Sequence, residues 1–233
     1  MSESRAPKFF GRRKGKGLKP NQQRLLAEAL PAFQVPVDPD APIADPAALF
    51  DAPVDQVWLE IGFGAGEHLL AQARMHERVG LIGAEPFVNG VAKVLQAMEA
   101  EPALKPRIRL FADDVRLLLQ ALPAASIDRL FVLFPDPWPK RRHWERRIVG
   151  PSTLPAFARV LKPGGLMRLA TDHPGYCAWM LYHLTRTEAG RTAFEWLDEG
   201  PGDWAAREAD WPRTRYEQKR LAGPPTYLRF RRR

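Results

Sequence analysis

Apolar runs of strand length alternate along the chain with segments whose apolar residues recur at helical spacing. The strand-like runs lie at 56–64, 79–86, 107–113, 128–134 and 165–172, and the helix-like segments lie at 67–75, 91–100, 115–122, 152–161 and 175–187. Continuous apolar runs are typical of parallel strands covered on both faces. The alternation therefore predicts an α/β fold, with a doubly wound, mostly parallel sheet and helices on both of its faces.

Both ends of the chain extend this pattern. Segments 193–199 and 226–232 predict two further strands, which bring the sheet to seven. Near the N-terminus, Asn21 is placed to cap a short helix, and six prolines then interrupt the chain. The predicted organisation is a basic flexible tail at 1–20, a helix and proline-rich connector at 21–53, and one main domain at 54–233.

Composition narrows the class of protein. The 233 residues are 45% hydrophobic, which is enough for one large domain with a full core. The single cysteine, Cys177, excludes an intramolecular disulfide and a cysteine-based metal cluster, and the histidines lack ligand spacing. No apolar run reaches membrane-spanning length, and the N-terminus lacks the apolar core of a signal peptide. We expect a cytoplasmic protein with no membrane, no metal and no obligate protein partner.

The net charge of +8 is concentrated in three basic segments. Residues 1–24 carry +7, residues 140–147 carry +4 and residues 213–233 carry +7, so the rest of the chain carries −10. Neutralising phosphates requires local clusters of basic residues rather than a high average charge. The distribution favours a polyanionic partner, with the internal cluster as the strongest indication.

Acidic residues stand at or just after the ends of the five predicted parallel strands. They are Glu60, Glu85, Asp113, Asp136 and Asp172. In doubly wound sheets, ligands bind in the crevice outside the carboxyl ends of the strands. Solubility does not require an acid at each of these ends, so the row predicts a binding site.

The glycine loop at 62–66 indicates the cofactor. Glycines permit positive φ and close approach of a ligand, but Glu67 stands where a dinucleotide-binding G-x-G-x-x-G motif has its third glycine. Glu60 would repel a pyrophosphate and attract the sulfonium and ammonium of S-adenosylmethionine. Glu85 is placed for the ribose hydroxyls and Asp113 for the adenine amine. We therefore expect S-adenosyl-L-methionine, held by Glu60, Gly62, Gly64, Gly66, Glu85 and Asp113.

The stretch "FPDPWPKRRHWERR" follows the fourth strand and predicts the substrate side of the site. Its prolines fix φ and remove backbone donors, so the loop that carries Asp136 is stiff. Trp138 offers a flat face for a base, and the basic residues after it are enough to hold phosphates around an inserted nucleotide. The order of these residues indicates a nucleic-acid substrate.

These segments resemble a known family. "FPDPWPKRRHWERRIV", "EIGFGAGEH", "ATDH" and "TRYEQKRLAGPPTYLRF" closely resemble the bacterial tRNA (guanine-N7-)-methyltransferases, over about residues 10–231. The resemblance implies a class I S-adenosylmethionine-dependent methyltransferase fold of Rossmann-like type. It also implies methyl transfer to N7 of a guanine in the tRNA variable loop, at nucleotide 46.

The same resemblance implies roles for individual residues. Asp136 would be catalytic as well as cofactor-binding. The residues expected to contact tRNA are Lys140, Arg142, His143, Arg146, Arg147, Asp172, Thr214, Arg215, Tyr216 and Glu217.

The chemistry of guanine fits these residues. N7 has an in-plane lone pair and carries no hydrogen, so no base has to remove a proton before attack. Catalysis can then be mostly alignment and electrostatics. Carboxylates also match the N1–H and N2–H donors of guanine. The hypothesis is that Asp172 or Glu217 reads that edge while Asp136 orients the reacting centre.

Two other functions remain open from the residues alone. Pro-Asp-Pro-Trp loosely resembles the Asp-Pro-Pro-Tyr motifs of methyltransferases that act on exocyclic amines, which would change the modified nucleoside. A non-catalytic RNA-binding protein that kept the cofactor fold is the second alternative, although the intact acids argue against it.

Overall fold

Strands and helices alternate through the structure, a computed structural model that describes residues 10–38, 41–219 and 222–233. The strands are β1 Gln56–Ile61, β2 Val79–Ala84, β3 Ile108–Phe111, β4 Ile127–Leu133, β5 Leu161–Thr171, β6 Phe194–Trp196 and β7 Thr226–Arg232. The α-helices are α1 Pro20–Glu28, α2 Leu30–Phe33, α3 Glu67–Met75, α4 Val88–Ala100, α5 Val115–Ala121, α6 Leu154–Val160, α7 Pro174–Thr185, α8 Glu188–Ala193, α9 Pro201–Ala205 and α10 Arg215–Lys219. Short 3-10 helices are η1 Pro46–Leu49, η2 Pro102–Arg107 and η3 Arg141–Arg146.

In the described part of the chain, the strands form one seven-stranded sheet in the order β3-β2-β1-β4-β5-β7-β6. β7 is antiparallel to β5 and β6, whereas β1 to β5 pair in parallel. The prediction of a doubly wound, mostly parallel seven-stranded sheet is confirmed. The chain moves outward from β1 to β3 and then returns to place β4 on the other side of β1. This reversal opens a crevice at the carboxyl ends of β1 and β4.

The core has one layer on each face of the sheet. On β1, Leu59 and Ile61 belong to one layer and Trp58 to the other, as the two-residue period of a strand requires. The same alternation places Glu60 on the face of Trp58. Glu60 is only 2% exposed, so the central strand ends in a buried acid.

The proline-rich connector protects one edge of the sheet. Gln34 pairs with Leu110 of β3, and the N–H of Val35 donates to the Leu110 carbonyl at 2.8 Å. Val35 is fully buried against the core. Pairing here satisfies backbone groups that an open edge strand would offer to another chain. The connector is therefore extended in part, and it also contains α2 and η1.

The first helix starts two residues earlier than a cap at Asn21 implies. The prediction that Asn21 caps it is wrong, because Lys19 is the N-cap and Pro20 occupies the first helical position. Proline suits that position, since it has no N–H to leave unsatisfied and its φ is already helical. α1 packs on α4 through the buried Leu25 and a hydrogen bond of 3.1 Å between Gln22 and Gln96.

Residues 10–19, the described part of the predicted tail, lie against the start of α4. The N–H of Val88 donates to the Arg13 carbonyl at 3.0 Å, and Gly15 N donates to Asn89 Oδ1 at 2.7 Å. Asn89 in turn donates to the Lys16 carbonyl at 2.8 Å. The prediction of a flexible tail also covers residues 1–9, which lie outside the described residues.

The described ranges lack two features that would indicate other functions. Within them, no helix is both long and apolar enough to cross a membrane. The same ranges contain no group of three or more His, Cys, Asp or Glu side chains arranged to hold a metal ion.

A substitution at Gly66 tests how tightly the glycine loop is packed. Gly66 has φ +79° at the N-cap of α3, and a Cβ there would lie 2.2 Å from a methyl carbon of Val94. Gly164 has a similar φ of +78° but open space around it. We expect Gly164→Ala to lower the free energy of unfolding by about 1–2 kcal/mol. Gly66→Ala should cost roughly 1–3 kcal/mol more, because it adds overpacking to backbone strain.

Denaturant unfolding of both variants measures this difference. Equal losses of stability would show that Val94 moves aside at no cost and that only the backbone conformation matters at Gly66.

Candidate active site

The five acids predicted from the sequence all lie at the carboxyl-terminal end of the parallel strands. Following the strand order, they form the row Asp113, Glu85, Glu60, Asp136, Asp172. Glu60 and Asp136 lie in the middle, on either side of the crevice between β1 and β4. Parallel strands bring their carboxyl ends to one edge, so distant parts of the sequence contribute to a single site.

Glu85 fastens the glycine loop to the end of β2. Its carboxylate accepts hydrogen bonds from the N–H of Gly64 at 2.8 Å and of Phe87 at 2.9 Å. The pKa of Glu85 is nevertheless raised, chiefly because the group is buried and also because Asp136 and Glu60 repel its charge. The three central acids are therefore close enough to interact, and the site attracts cations.

The glycine loop has the backbone that its sequence predicts. Gly62, Gly64 and Gly66 have φ of +76°, +57° and +79°, which side chains with a Cβ rarely adopt. The loop approaches α4 so closely that a Cβ on Gly90 would lie 2.0 Å from the Gly64 carbonyl oxygen. The loop is thus held between Glu85 and α4.

Glu60 is held by a residue that no motif indicated. His68 Nδ1 lies 2.8 Å from Glu60 Oε2, and both side chains are almost fully buried. The His68 ring packs edge-on against Phe131 at 4.7 Å and Trp211 at 5.2 Å. A carboxylate buried among apolar groups needs such a partner. The only signal in the sequence is the position of His68, the second residue of the helix that follows the glycine loop.

A cleft opens beside Glu60, with about 320 Å³ of empty space that is partly open to solvent. It is lined by Glu60, Gly62, Phe63, Ala65, Glu67, His68, Leu133, Phe134 and Thr214. The walls of this cleft therefore combine acidic groups, the glycine loop and apolar side chains. This lining suits the cationic amino-acid end of S-adenosylmethionine, with Glu60 as the group that would hold its ammonium.

Asp113 has a partner from the N-terminal segment. Arg13 Nη2 lies 2.7 Å from Asp113 Oδ1, and the same oxygen accepts the N–H of Asp114 at 2.7 Å. Both charged side chains are partly exposed. The basic tail thus reaches the acid that was expected beside adenine. The two residues are 100 positions apart in the sequence, so local patterns do not reveal this contact.

The Pro-Asp-Pro-Trp loop is strained at both ends. Phe134 and Trp138 have φ of +51° and +42°, in the left-handed region that large residues avoid. The N–H of Phe134 donates to the Ala170 carbonyl at 2.8 Å, which fixes the start of the loop on β5. Asp136 is exposed as a residue, yet the surrounding protein displaces enough water from its carboxyl group to raise its pKa.

The basic residues after the loop differ in how far solvent reaches them. Lys140 and Arg142 are exposed, which suits contact with phosphates. Arg146 lies between two rings, 4.4 Å from the Phe10 ring and 5.0 Å from that of Trp138. His143 packs edge-on against Trp138 at 5.8 Å. Partial removal from water, together with the nearby cations, lowers the pKa of His143.

Arg147 differs from the expectation of an RNA contact. It is 3% exposed, and its guanidinium is enclosed by the rings of Trp144, Tyr176 and Trp179. The basic run indicated only its charge, since the rings of α7 lie some 30 positions further along the chain. In this structure Arg147 holds the loop instead of facing solvent.

The remaining predicted residues lie around the start of α10. Thr214 caps this helix by accepting the N–H of Glu217 at 3.2 Å, and Arg215 N donates to Glu67 Oε2 at 2.6 Å. Glu217 is held by Arg207, whose Nη1 lies 3.1 Å and 3.3 Å from its two oxygens. The described contacts bring α10 to the first turn of α3, beside the cleft. Tyr216 is the second residue of α10.

Asp172 lies at the end of β5, on the far side of Asp136 from Glu60. Its Oδ2 accepts the N–H of Ala222 at 3.2 Å. This hydrogen bond connects the segment that precedes β7 to the row of acids.

The pair of Glu60 and His68 can be tested without any ligand. We expect His68→Phe, which keeps a ring of similar shape, to lower the free energy of unfolding by about 1–3 kcal/mol, because buried Glu60 loses its partner. Adding Glu60→Gln should recover part of that loss. Denaturant unfolding of both single variants and the double variant gives the coupling between the two residues. Strictly additive losses would show that the contact contributes nothing.

Known proteins are similar in sequence to this chain over nearly its whole length. The profile of a family described as "Putative methyltransferase" matches residues 55–223. The tRNA (guanine-N(7)-)-methyltransferase of Rhodospirillum rubrum is 52% identical over 230 residues, covering 97% of this chain and 88% of the relative. The enzyme of the same name from Rhizobium meliloti is 47% identical over 238 residues and covers both chains completely.

Solved structures share the fold at much lower identity. A mutant of the 16S rRNA (adenine(1408)-N(1))-methyltransferase from Catenulisporales acidiphilia, with the cosubstrate SAM, superposes with a TM-score of 0.56 at 17% identity, over 85% of this chain and 92% of that one. The 16S rRNA methyltransferase KamB gives 0.54 at 20% identity, over 78% and 90%. With its acids and glycine loop at the edge where such folds bind ligands, and with relatives this similar, the chain belongs to the family of S-adenosylmethionine-dependent tRNA (guanine-N(7)-)-methyltransferases.

Proposed function

We propose that this protein transfers a methyl group from S-adenosylmethionine to N7 of a guanine in the tRNA variable loop, nucleotide 46. One observation carries the proposal. A stiff loop that bears Asp136 begins where the cofactor crevice ends, and it runs directly into an exposed basic segment. The names of the close relatives support the same reaction and the same class of substrate.

The cofactor side of the crevice is assigned to Glu60, Glu85 and Asp113. Glu60 would accept the ammonium, Glu85 the ribose hydroxyls and Asp113 the adenine amine. Although both oxygens of Glu85 already accept N–H groups, each carboxylate oxygen has two lone pairs and can accept a hydroxyl as well. The cofactor supplies a methyl group on a sulfonium, which needs no further activation.

Asp136 is assigned to the reacting centre. N7 of guanine is already a nucleophile, so the protein has to align it and stabilise charge rather than remove a proton. Methylation makes the purine cationic, and a carboxylate held close to it favours that product electrostatically. The raised pKa of Asp136 reflects partial removal from water, which strengthens its interaction with a developing cation.

Asp172 is the better placed of the two acids that could read guanine. Glu217 is held through both oxygens by Arg207, whereas Asp172 accepts one backbone N–H through Oδ2. We assign recognition of the N1–H and N2–H donors to Asp172. Glu217 then supports α10 at the rim of the site.

The RNA backbone is assigned to the exposed cations. Lys140 and Arg142 lie in solvent next to the loop, and Trp138 presents a ring beside Asp136 on which a base can stack. Arg146 adds charge next to that ring. Thr214 lines the cleft and Arg215 begins α10 directly after it, and we assign both, together with Tyr216, to the contact with RNA.

Labelling identifies the reaction. Purified protein is incubated with unmodified bulk tRNA and methyl-labelled S-adenosylmethionine, and the RNA is then digested to nucleosides. We expect the label in 7-methylguanosine, and in none from tRNA whose variable-loop guanine is replaced by adenine. Label in a methylated exocyclic amine would instead indicate the amine-directed reaction. Binding of tRNA without any label would indicate a non-catalytic RNA-binding protein.

Variants of the two acids test the assigned roles. We expect Asp136→Asn to lower kcat by roughly 100-fold, because the charge beside the reacting purine is lost. Asp172→Asn should lower kcat/KM by about 10- to 100-fold, because the guanine edge loses a charged acceptor. Glu77→Gln, which makes the same change at an exposed turn before β2 on the opposite edge of the sheet, is the control. Near-normal rates for both site variants would contradict these assignments.

A further inference from the structure

Arg147 is buried in an unusual environment for a cation. Its guanidinium carbon lies 4.9 Å from the ring of Trp144, 4.9 Å from that of Tyr176 and 5.1 Å from that of Trp179. We call these three rings the aromatic box. Cation–π contacts attract a guanidinium to each ring face, and they are strongest where water is excluded. The box thus fixes the position of this one side chain.

The held arginine acts on the loop that carries Asp136. Arg147 Nε donates to the Pro137 carbonyl at 2.9 Å. This carbonyl belongs to the residue directly after Asp136. Prolines at 135, 137 and 139 leave the loop few backbone donors of its own, so a contact to its carbonyl anchors it where its own N–H groups cannot.

The aromatic box is itself fastened to the chain beyond the basic run. The Tyr176 hydroxyl accepts the N–H of Val149 at 3.0 Å, and Trp179 Nε1 donates to the Val149 carbonyl at 2.8 Å. Tyr176 and Trp179 lie on α7, which starts two residues after Asp172. The aromatic box therefore connects Arg147, which holds the Asp136 loop, to the helix that follows Asp172.

Folding alone does not account for this arrangement. Arg147 Nη1 is buried and has no hydrogen-bond partner among the residues that the structure describes, and burial lowers the pKa of Arg147. A buried cation without a carboxylate partner costs stability, so an apolar residue would suit the fold better. In the described part of the chain Arg147 does not pair with Asp136 directly; its Nε donates to the neighbouring Pro137 carbonyl.

We propose that Arg147 is a positioning residue for Asp136: clamped in the aromatic box, it holds the Pro137 carbonyl and thereby sets where the carboxylate meets the reacting purine. This inference rests on the proposed function. It requires arginine, because a flat guanidinium can stack among rings while Nε donates in its own plane, and an ammonium cannot do both. It separates Arg147 from the neighbouring cations that contact RNA.

Kinetics of Arg147→Lys and Arg147→Ala test the inference. We expect both to lower kcat by roughly 10- to 100-fold, because a misplaced loop loses alignment of the reacting groups. The KM for tRNA and the salt dependence of tRNA binding should stay as in the wild type. Arg142→Ala removes the same charge from the exposed surface. It should instead raise KM and reduce the salt slope by about 1.

A control variant and a folding check distinguish a specific effect of Arg147 from a general loss of structure. Arg186→Lys changes an exposed arginine at the end of α7 and should leave both kcat and KM unchanged. Thermal unfolding checks that each variant is folded. If Arg147→Ala does not fold, the kinetics of Arg147→Lys alone test the inference. A wild-type kcat in Arg147→Lys, or a raised KM with a reduced salt slope, would overturn the inference. Absence of methyl transfer by the wild type would instead overturn the proposed function.

Discussion

Repulsion among the carboxylates at the carboxyl ends of β1, β2 and β4 is the constraint on which the candidate site depends. The parallel strands β1 to β5 bring five acids to the carboxyl-terminal end of the sheet, and Glu85 is close enough to Glu60 and Asp136 for their charges to raise its pKa. Three of these acids are balanced by different partners. His68 holds Glu60, backbone N–H groups hold Glu85, and Arg13 pairs with Asp113. The protein bears this concentration of negative charge because its cofactor is a cation.

The supports of the site are as important as the acids themselves. Glu85 holds the glycine loop, His68 holds Glu60, and Arg147 holds the loop that bears Asp136. In each case a buried polar group fixes a short segment that would otherwise have little to keep it in place. Methyl transfer needs alignment more than acid–base chemistry, so rigid support contributes directly to rate.

Sequence patterns predicted the frame of the molecule and the row of acids. Strand and helix positions follow from local periodicity, and α3 starts at Glu67 and ends at Met75 as the pattern indicated. The end of each strand then located Glu60, Glu85 and Asp113. What the patterns did not predict depends on which residues meet in the folded chain, or on a neighbour that suits the same position better. His68 had no motif, Arg147 looked like its exposed neighbours, and Asn21 lost the cap because the proline at position 20 already suits a helix start.

The position of β7 has a consequence for how the protein acquires its activity. β7 is the last strand along the chain, yet it lies between β5 and β6, and the segment before it supplies Thr214 to the cleft and Ala222 to Asp172. Pairings between such distant segments form slowly and only after the later segment has been synthesised. A nascent chain on the ribosome can therefore build β1 to β5 and still lack a complete site. The site is therefore complete only once β7 and the segment before it are in place.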